Sequence, residues 1–223
     1  MKTALVFKDG NFVGREYHRA LVEAGKCPDI CISVGRMTFE SMKFEYKRTG
    51  NLWNPPPIPS LTFWFENWRD YRLWDLIREV DVAIQAGCGF VPKEALAMPK
   101  LGWVNVHPGR LPDYKGSSCP EWAILGDTVT IWTTAHMLDE GLDTGPLIWE
   151  RPYRLKSGWS YEEWRAGIYP HAAGTLLKAL EHLKDATPET LNEYVQPQTK
   201  GGYVYPRMPD RILEKVKQKV AME

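Results

Sequence analysis

Short apolar runs alternate along this chain with stretches in which apolar residues recur at helical spacing. Thr3 to Phe7 is a run suited to a strand. Val13, Tyr17, Leu21 and Ala24 then repeat with the period of a helix that stops at Gly25, and Ile30 to Val34 returns to the strand pattern. Further on, Arg69 to Glu79 suits a helix, Val82 to Ala86 a buried strand, Pro92 to Ala97 a short helix opened by its proline, and Trp103 to Val106 another strand. Strands separated by helices predict an α/β chain, a Rossmann-like, mostly parallel sheet with helices on both faces.

Two stretches break the rhythm. From Met37 to Asn67 the periodicity fails around Asn54-Pro55-Pro56-Pro57-Ile58-Pro59, which predicts a surface excursion pinned by buried aromatics among Trp53, Phe63, Trp64 and Trp68. After Pro146 to Tyr153, the expected last strand of the core, Ser160-Tyr161-Glu162-Glu163 reads as a capping box that opens a helix. Pro170 is expected to kink or divide that helix. Its remainder, Ala172 to Leu183, spaces Ala173, Leu176, Leu177 and Leu180 to pack on the sheet. This organisation divides the chain into a catalytic domain over residues 1–185 and a short carboxyl-terminal extension over 186–223.

Composition narrows the function. A chain of 223 residues that is 43% hydrophobic can bury a core large enough to support a binding cleft. The formal net charge is zero and no dense Lys/Arg block occurs, which argues against nucleic acid or an acidic membrane as partner. The amino-terminal apolar run is too short for a signal peptide, and nothing approaches the roughly 20 apolar residues of a membrane span, so a cytoplasmic protein is expected. Lys8 to Gly14 is not the glycine fingerprint of a dinucleotide site. Cys27, Cys31, Cys88 and Cys119 form neither a disulfide framework nor a zinc-ligand pattern, so ordinary reduced thiols are expected.

The chemistry concentrates in Asn105-Val106-His107-Pro108 and, 36 residues after the histidine, Asp143 within Asp139-Glu140-Gly141-Leu142-Asp143-Thr144-Gly145-Pro146. Residues two apart on a strand share a face, so Asn105 and His107 can converge on one atom at the carboxyl end of a strand, where ligands gather in open α/β sheets. An amide able to donate to a developing oxyanion, an imidazole titrating near ~6.5 and a carboxylate are the groups needed to move an acyl unit onto an amine. Asp143 could orient the imidazole or take the amine's proton, and the sequence leaves both open.

The stretch NVHPGRLPDYKGSSCPEWAI followed by HMLDEGLDTGPLI resembles the folate-dependent formyltransferase family, over about Val82 to Ile148. The resemblance implies the formyltransferase fold, 10-formyltetrahydrofolate as formyl donor, no metal, and Asn105, His107 and Asp143 as the catalytic set. It implies a pterin slot built from Cys88, Gly89, Phe90 and Val91 on one side and Met137, Leu138, Asp139, Glu140, Gly141, Leu142 and Asp143 on the other. His136 is expected in a structural or folate-side role.

For the acceptor, Pro120-Glu121-Trp122-Ala123-Ile124-Leu125 and Gly201-Gly202-Tyr203-Val204-Tyr205-Pro206-Arg207 resemble the sugar-nucleotide N-formyltransferases more than the purine enzyme. The expectation is formyl transfer to the amine of a nucleotide-linked amino-deoxy sugar. Lys8, Asn11, Gly109, Arg110, Tyr114, Trp122, Tyr203, Tyr205 and Arg207 are the candidate substrate contacts, since aromatic faces stack on rings and guanidinium groups pair with phosphate. Phosphoribosylglycinamide formyltransferase, formyltetrahydrofolate hydrolase and a non-catalytic folate-binding protein are the alternatives. From the chain length, the extra domain with which methionyl-tRNA formyltransferases hold tRNA is not expected, and a homodimer is expected from the aromatic carboxyl-terminal third.

Overall fold

The computed structural model describes residues 1–58, 62–128, 130–199 and 201–222. Its strands are β1 (Thr3–Asp9), β2 (Ile30–Arg36), β3 (Thr62–Phe65), β4 (Val82–Gln85), β5 (Gly102–His107), β6 (Tyr114–Gly116), β7 (Thr130–Met137), β8 (Leu147–Arg154) and β9 (Tyr203–Tyr205). Its helices are α1 (Phe12–Glu23), α2 (Phe39–Thr49), α3 (Tyr71–Arg78), α4 (Lys93–Leu96), α5 (Cys119–Leu125), α6 (Tyr161–His182), α7 (Leu191–Tyr194) and α8 (Asp210–Val220). Among the described residues no helix is long and apolar enough to cross a membrane.

Seven strands form one sheet in the order β3-β2-β1-β4-β5-β7-β8. The first five run parallel, and β7 and β8 are antiparallel additions. The α/β class, with helices on both faces, is as expected. Strand β1 shows why: Leu5 and Phe7 enter a cluster with Tyr17 and Leu21 of α1 and Leu176 of α6, whereas Ala4 and Val6 enter a second with Leu73 and Ile77 of α3. Both faces of the strand are buried, so its sequence is a continuous apolar run.

The 37–67 stretch departs from its expectation, since it contains α2 and the edge strand β3. Helix α2 fully buries only Arg48 and Thr49, so it carries no apolar stripe for periodicity to reveal. Its ends were nevertheless marked, by Thr38, whose hydroxyl accepts from the Ser41 N–H, and by Gly50, left-handed at φ 56°. Trp53 is buried and stacks on Tyr169 at 3.6 Å, but Phe63 and Trp64 of β3 are exposed. Pro59 lies outside the described residues.

Pro170 neither ends nor divides its helix: α6 is continuous over 22 residues from a complete Ser160/Glu163 capping box. Pro170 sits on the solvent face, where the carbonyl deprived of its partner can be hydrated, while Tyr169 and Ala173 on either side are locked into the core. The carboxyl-terminal stretch contributes α7, β9 and α8, and β9 pairs in parallel with β6. It thereby reaches the loops that follow β5.

Candidate active site

Strand β5 ends in Asn105-Val106-His107, and its antiparallel pairing with β7 sets Asn105 opposite His136 and His107 opposite Thr134. Asn105 Nδ2 donates to His136 Nε2 at 3.2 Å. The loop between β7 and β8 then brings Asp143 to both imidazoles, with Oδ2 at 3.5 Å from His107 Nδ1 and Oδ1 at 3.8 Å from His136 Nε2. One amide, two imidazoles and one carboxylate therefore converge at the carboxyl end of β5. Asn105, His107 and Asp143 are brought together as expected; His136 joins them through a register 31 residues away in sequence, which no local pattern encodes.

The hydrogen bonds fix the tautomers. His136 Nδ1 lies 2.8 Å from the Met137 carbonyl and donates to it, so Nε2 carries the lone pair that accepts from Asn105. Among the described residues the second N–H of Asn105 has no partner. His107 Nε2 donates to the Tyr114 carbonyl at 2.7 Å, which turns Nδ1 toward Asp143. Burial lowers the His107 pKa from its ordinary value of 6.5, opposed by the Asp143 charge and the Tyr114 bond. Burial, reinforced by His107, lowers His136 to about 4. Both rings are therefore neutral at pH 7.

The surroundings leave little freedom. A Cβ on Gly109 would sit 2.7 Å from His107 Nε2 and 2.9 Å from the Tyr114 carbonyl, so only glycine fits behind the ring. Thr134 donates to the Gly109 carbonyl at 2.7 Å. Asp143 is held at φ 54°, unusual for a residue with a side chain, and its Oδ2 accepts from the Gly116 N–H at 2.8 Å. Asp139 braces the same turn by accepting from the Gly141 N–H and the Thr144 hydroxyl.

Of the residues assigned to the pterin slot, Cys88, Val91 and Met137 are buried, and Phe90 and Leu142 are the exposed apolar pair. Gly89 turns at φ 84° and faces Lys8, whose Nζ would be 3.4 Å from a Cβ there. Lys93 and Glu140 pair at 2.8 Å, joining the segments on either side, and Leu138 donates its N–H to the Trp103 carbonyl. Among the described residues no group of three or more His, Cys, Asp and Glu is arranged to hold a metal ion.

The candidate substrate contacts are distributed over several places. Asn11 caps α1, its Oδ1 accepting from the Val13 and Gly14 N–H groups and its Nδ2 donating to the Gly87 carbonyl. It also borders a cleft of about 260 Å³ with Asp9, Arg15, Ser33 and Trp64. Gly109, Arg110 and Tyr114 line a cavity of about 140 Å³ with Cys119 and Trp132, and the Arg110 guanidinium lies over the Trp132 ring. Tyr205 stacks on Tyr114 and leans on Trp122, whose indole N–H donates to the Pro206 carbonyl, while Tyr203 stays exposed. Arg207 rests on Phe44 of α2 at 3.7 Å. It borders a cleft of about 570 Å³ with Lys43, Glu45 and Asp210.

Comparison with known proteins shows what the segment holding this arrangement resembles. Residues 70–166, the span from α3 into α6 that holds all four polar groups, match the family model described as Formyl transferase. Over this segment the chain is similar to the formyl transferase family. Among curated relatives, the methionyl-tRNA formyltransferase of Deinococcus radiodurans is 35% identical over 115 residues, 51% of this chain and 36% of its own length. That of Thermus thermophilus is 36% identical over 122 residues, again 36% of its length. The chain thus spans little more than a third of the curated relatives it matches.

Among solved structures, phosphoribosylglycinamide formyltransferase from Streptococcus pneumoniae superposes with a TM-score of 0.57 at 22% identity, covering 82% of this chain and 99% of that one. The formyltransferase PseJ from Anoxybacillus kamchatkensis, solved with UDP-4,6-dideoxy-4-formamido-L-AltNAc and tetrahydrofolate, superposes with 0.53 at 18%, covering 96% and 89%. These likenesses establish the formyl transferase fold. The family match leaves out residues 1–69 and the tail, where the Arg15 cleft, Arg207 and the exposed Tyr203 stand.

Proposed function

We propose that this protein transfers the formyl group of 10-formyltetrahydrofolate to a primary amine, and that the amine belongs to a nucleotide-linked amino-deoxy sugar. The observation that carries the reaction is the convergence of Asn105, His107, His136 and Asp143 within one polar cluster. As the amine attacks the formyl carbon, charge builds on the formyl oxygen, and the free N–H of Asn105 is the donor that meets it. His136 aims that amide through Nε2. The attacking nitrogen sheds a proton, which His107 takes on Nδ1, so that the imidazolium is held between the Tyr114 carbonyl and the Asp143 carboxylate. The bond from the formyl carbon to the folate nitrogen then breaks, and a proton returns to that nitrogen as tetrahydrofolate leaves. Asp143 thereby steadies the charged ring. Phe90 and Leu142, exposed on the two loops, offer the apolar edges a flat pterin requires.

For the acceptor, the exposed Tyr203 on β9 supports the sugar-nucleotide reading, because it offers a ring face one strand away from Gly116, which holds Asp143. Arg15 in the cleft beside β1 and Arg207 beside α2 are the cations suited to a diphosphate. A second reading, formylation of methionyl-tRNA, is favoured by the names of the curated relatives. Tetrahydrofolate release distinguishes them when the chain is incubated with the formyl donor and, in turn, a panel of amino-sugar nucleotides, glycinamide ribonucleotide, methionyl-tRNA and no amine. Release with the sugar panel alone is expected. Release only with glycinamide ribonucleotide or tRNA reassigns the acceptor, release without amine indicates a hydrolase, and none under any condition removes the enzyme reading.

A further inference from the structure

Residues 196–199 and 201–205 run beside both loops that hold the candidate catalytic groups. Gln196 exchanges backbone hydrogen bonds with Leu147 at 2.7 and 2.8 Å, Tyr203 donates its N–H to the Asp113 carbonyl, and Ser117 donates to the Tyr205 carbonyl. Between these anchors stands Gln198, whose side-chain amide points into the turn that carries Asp143. Its Nε2 donates to the Asp143 carbonyl at 3.0 Å and to the Gly145 carbonyl at 2.7 Å. Both neighbours are acceptors, so the amide orientation is determined and both N–H groups are used.

The turn needs this support. Asp143 is in the left-handed region, and Gly145 is packed so closely on the Met137 carbonyl that a Cβ would overlap it. Asp139 braces the turn from inside through Gly141 and Thr144. Among the described residues Gln198 is the partner of the Asp143 carbonyl, while the carboxylate accepts from the Gly116 N–H and faces the two imidazoles. Gln198 grips the main chain on both sides of Thr144, which fixes where the Asp143 side chain leaves the backbone.

The geometry points to Gln198 as a positioning residue that sets Asp143 against His107. It lies outside the segment matched by the family model, in the carboxyl-terminal stretch, and so ties the tail to the chemistry. Its part in turnover rests on the formyl-transfer reading above, whereas its hold on Asp143 does not.

The test uses the full chain and two variants. Gln198→Met keeps length and burial and removes both donors; Gln198→Glu keeps the shape and turns an acceptor toward two carbonyls. The His107 ring is followed by ¹⁵N NMR titration in wild type, Asp143→Asn, Gln198→Met and the double variant, with thermal unfolding to verify folding. Asp143→Asn lowers the His107 pKa, because the carboxylate that supports the imidazolium is gone. Gln198→Met is expected to produce part of that downward shift and to add nothing in the Asp143→Asn background. If Gln198→Met does not fold, Gln198→Glu is read for the same shift. A His107 titration identical to wild type, or an equal further shift on top of Asp143→Asn, overturns the assignment. With the amine used by the wild type, kcat is expected to fall roughly 10- to 100-fold. KM for the formyl donor should stay within about 3-fold, the split expected when positioning rather than binding is lost. An unchanged kcat equally overturns it. A wild type inactive with every amine would defeat the functional reading and leave the NMR result to decide on Gln198.

Discussion

His107 presents Nδ1 to Asp143 Oδ2 at 3.5 Å while its other nitrogen is committed to the Tyr114 carbonyl at 2.7 Å. The free lone pair is thus on the side of the carboxylate, and a proton arriving there converts a loose contact into a charge-assisted hydrogen bond. Burial lowers the His107 pKa below 6.5, the Asp143 charge opposes this, and His136 on β7 contributes no charge near neutrality. The base form therefore dominates at neutral pH. The pH profile of kcat/KM is expected to be flat above about 6.5 and to fall at lower pH with a midpoint under that value. Steady-state rates across the acid range check this, and a midpoint at or above 7 would contradict it.

Removing any one of the three polar groups should leave the fold and remove the chemistry. Asn105→Ala deletes the proposed oxyanion donor, His107→Ala the proposed base, and Asp143→Ala the carboxylate beside it. Each is expected to lower kcat by at least ~100-fold, the range seen when one preorganised donor is lost. Circular dichroism and thermal unfolding establish that the variants are folded. Near-wild-type turnover by His107→Ala would eliminate it as proton acceptor.

Gly109→Ala tests the packing behind the ring. The added Cβ would meet His107 Nε2 at 2.7 Å and the Tyr114 carbonyl at 2.9 Å, both closer than real contacts allow, and would crowd Cys119 Cβ at 3.0 Å. Strands and a tight loop surround the site, so His107 rather than the backbone is expected to shift, breaking its bond to Tyr114. The expected cost is about 1–3 kcal/mol of stability. Turnover should fall by more than ~10-fold, because His107 is no longer presented to Asp143. Urea unfolding and kcat are the two measurements, and a variant with unchanged values for both would show that the loop yields easily.

Acid should destabilise the protein through His136. Its folded pKa of about 4 lies below the ~6.5 of an unfolded histidine, so above pH 6.5 neither state binds the proton and nothing is lost. Between those values the unfolded chain takes up a proton that the folded chain refuses, and stability falls as pH falls. Replacing His136 with Gln should make the loss of stability between pH 8 and pH 4.5, followed by urea unfolding, smaller than in wild type. Equal losses would exclude His136 as the source.

How much of this could be read beforehand follows from what local pattern encodes. The parallel half of the sheet was legible because two-sided burial makes β1, β2 and β4 continuous apolar runs. The convergence of Asn105 and His107 was legible because strand alternation is local. That Asn105 faces His136 was not, since the register of β5 against β7 is long-range and antiparallel. Helix α2 carried cap residues without an apolar stripe, and β9 has only three residues, so periodicity passed over both. Helix α8 buries Leu213, Val216 and Val220 at helical spacing, an apolar stripe that local pattern does encode. Gln198 was invisible in sequence because its role depends on two carbonyls more than 50 residues away.

The largest single effect on stability is expected at Glu121. Its carboxylate is completely buried, accepts from the Arg48 guanidinium and from the Tyr161 hydroxyl at 2.9 Å, and lies 3.3 Å from Arg165 Nε. Burial pushes its pKa up, but Arg165 and Arg48 together outweigh that and hold it at about 2. Arg48 comes from α2, Glu121 from α5 and Arg165 from α6, so one carboxylate ties two other helices to α5 through their guanidinium groups. Glu121→Gln keeps the shape and strands two guanidinium groups in the interior, for which about 3–5 kcal/mol is expected. The sign with pH follows from the depressed pKa: the contribution is complete above the unfolded value of about 4.3 and is lost as pH falls toward 2. Urea unfolding at pH 7 should therefore show the full deficit in Glu121→Gln, and at pH 3 a smaller one, because the wild type has by then lost part of the same stabilisation. A deficit under about 1 kcal/mol at pH 7 would mean that water or a rearranged α2 relieves the stranded charges.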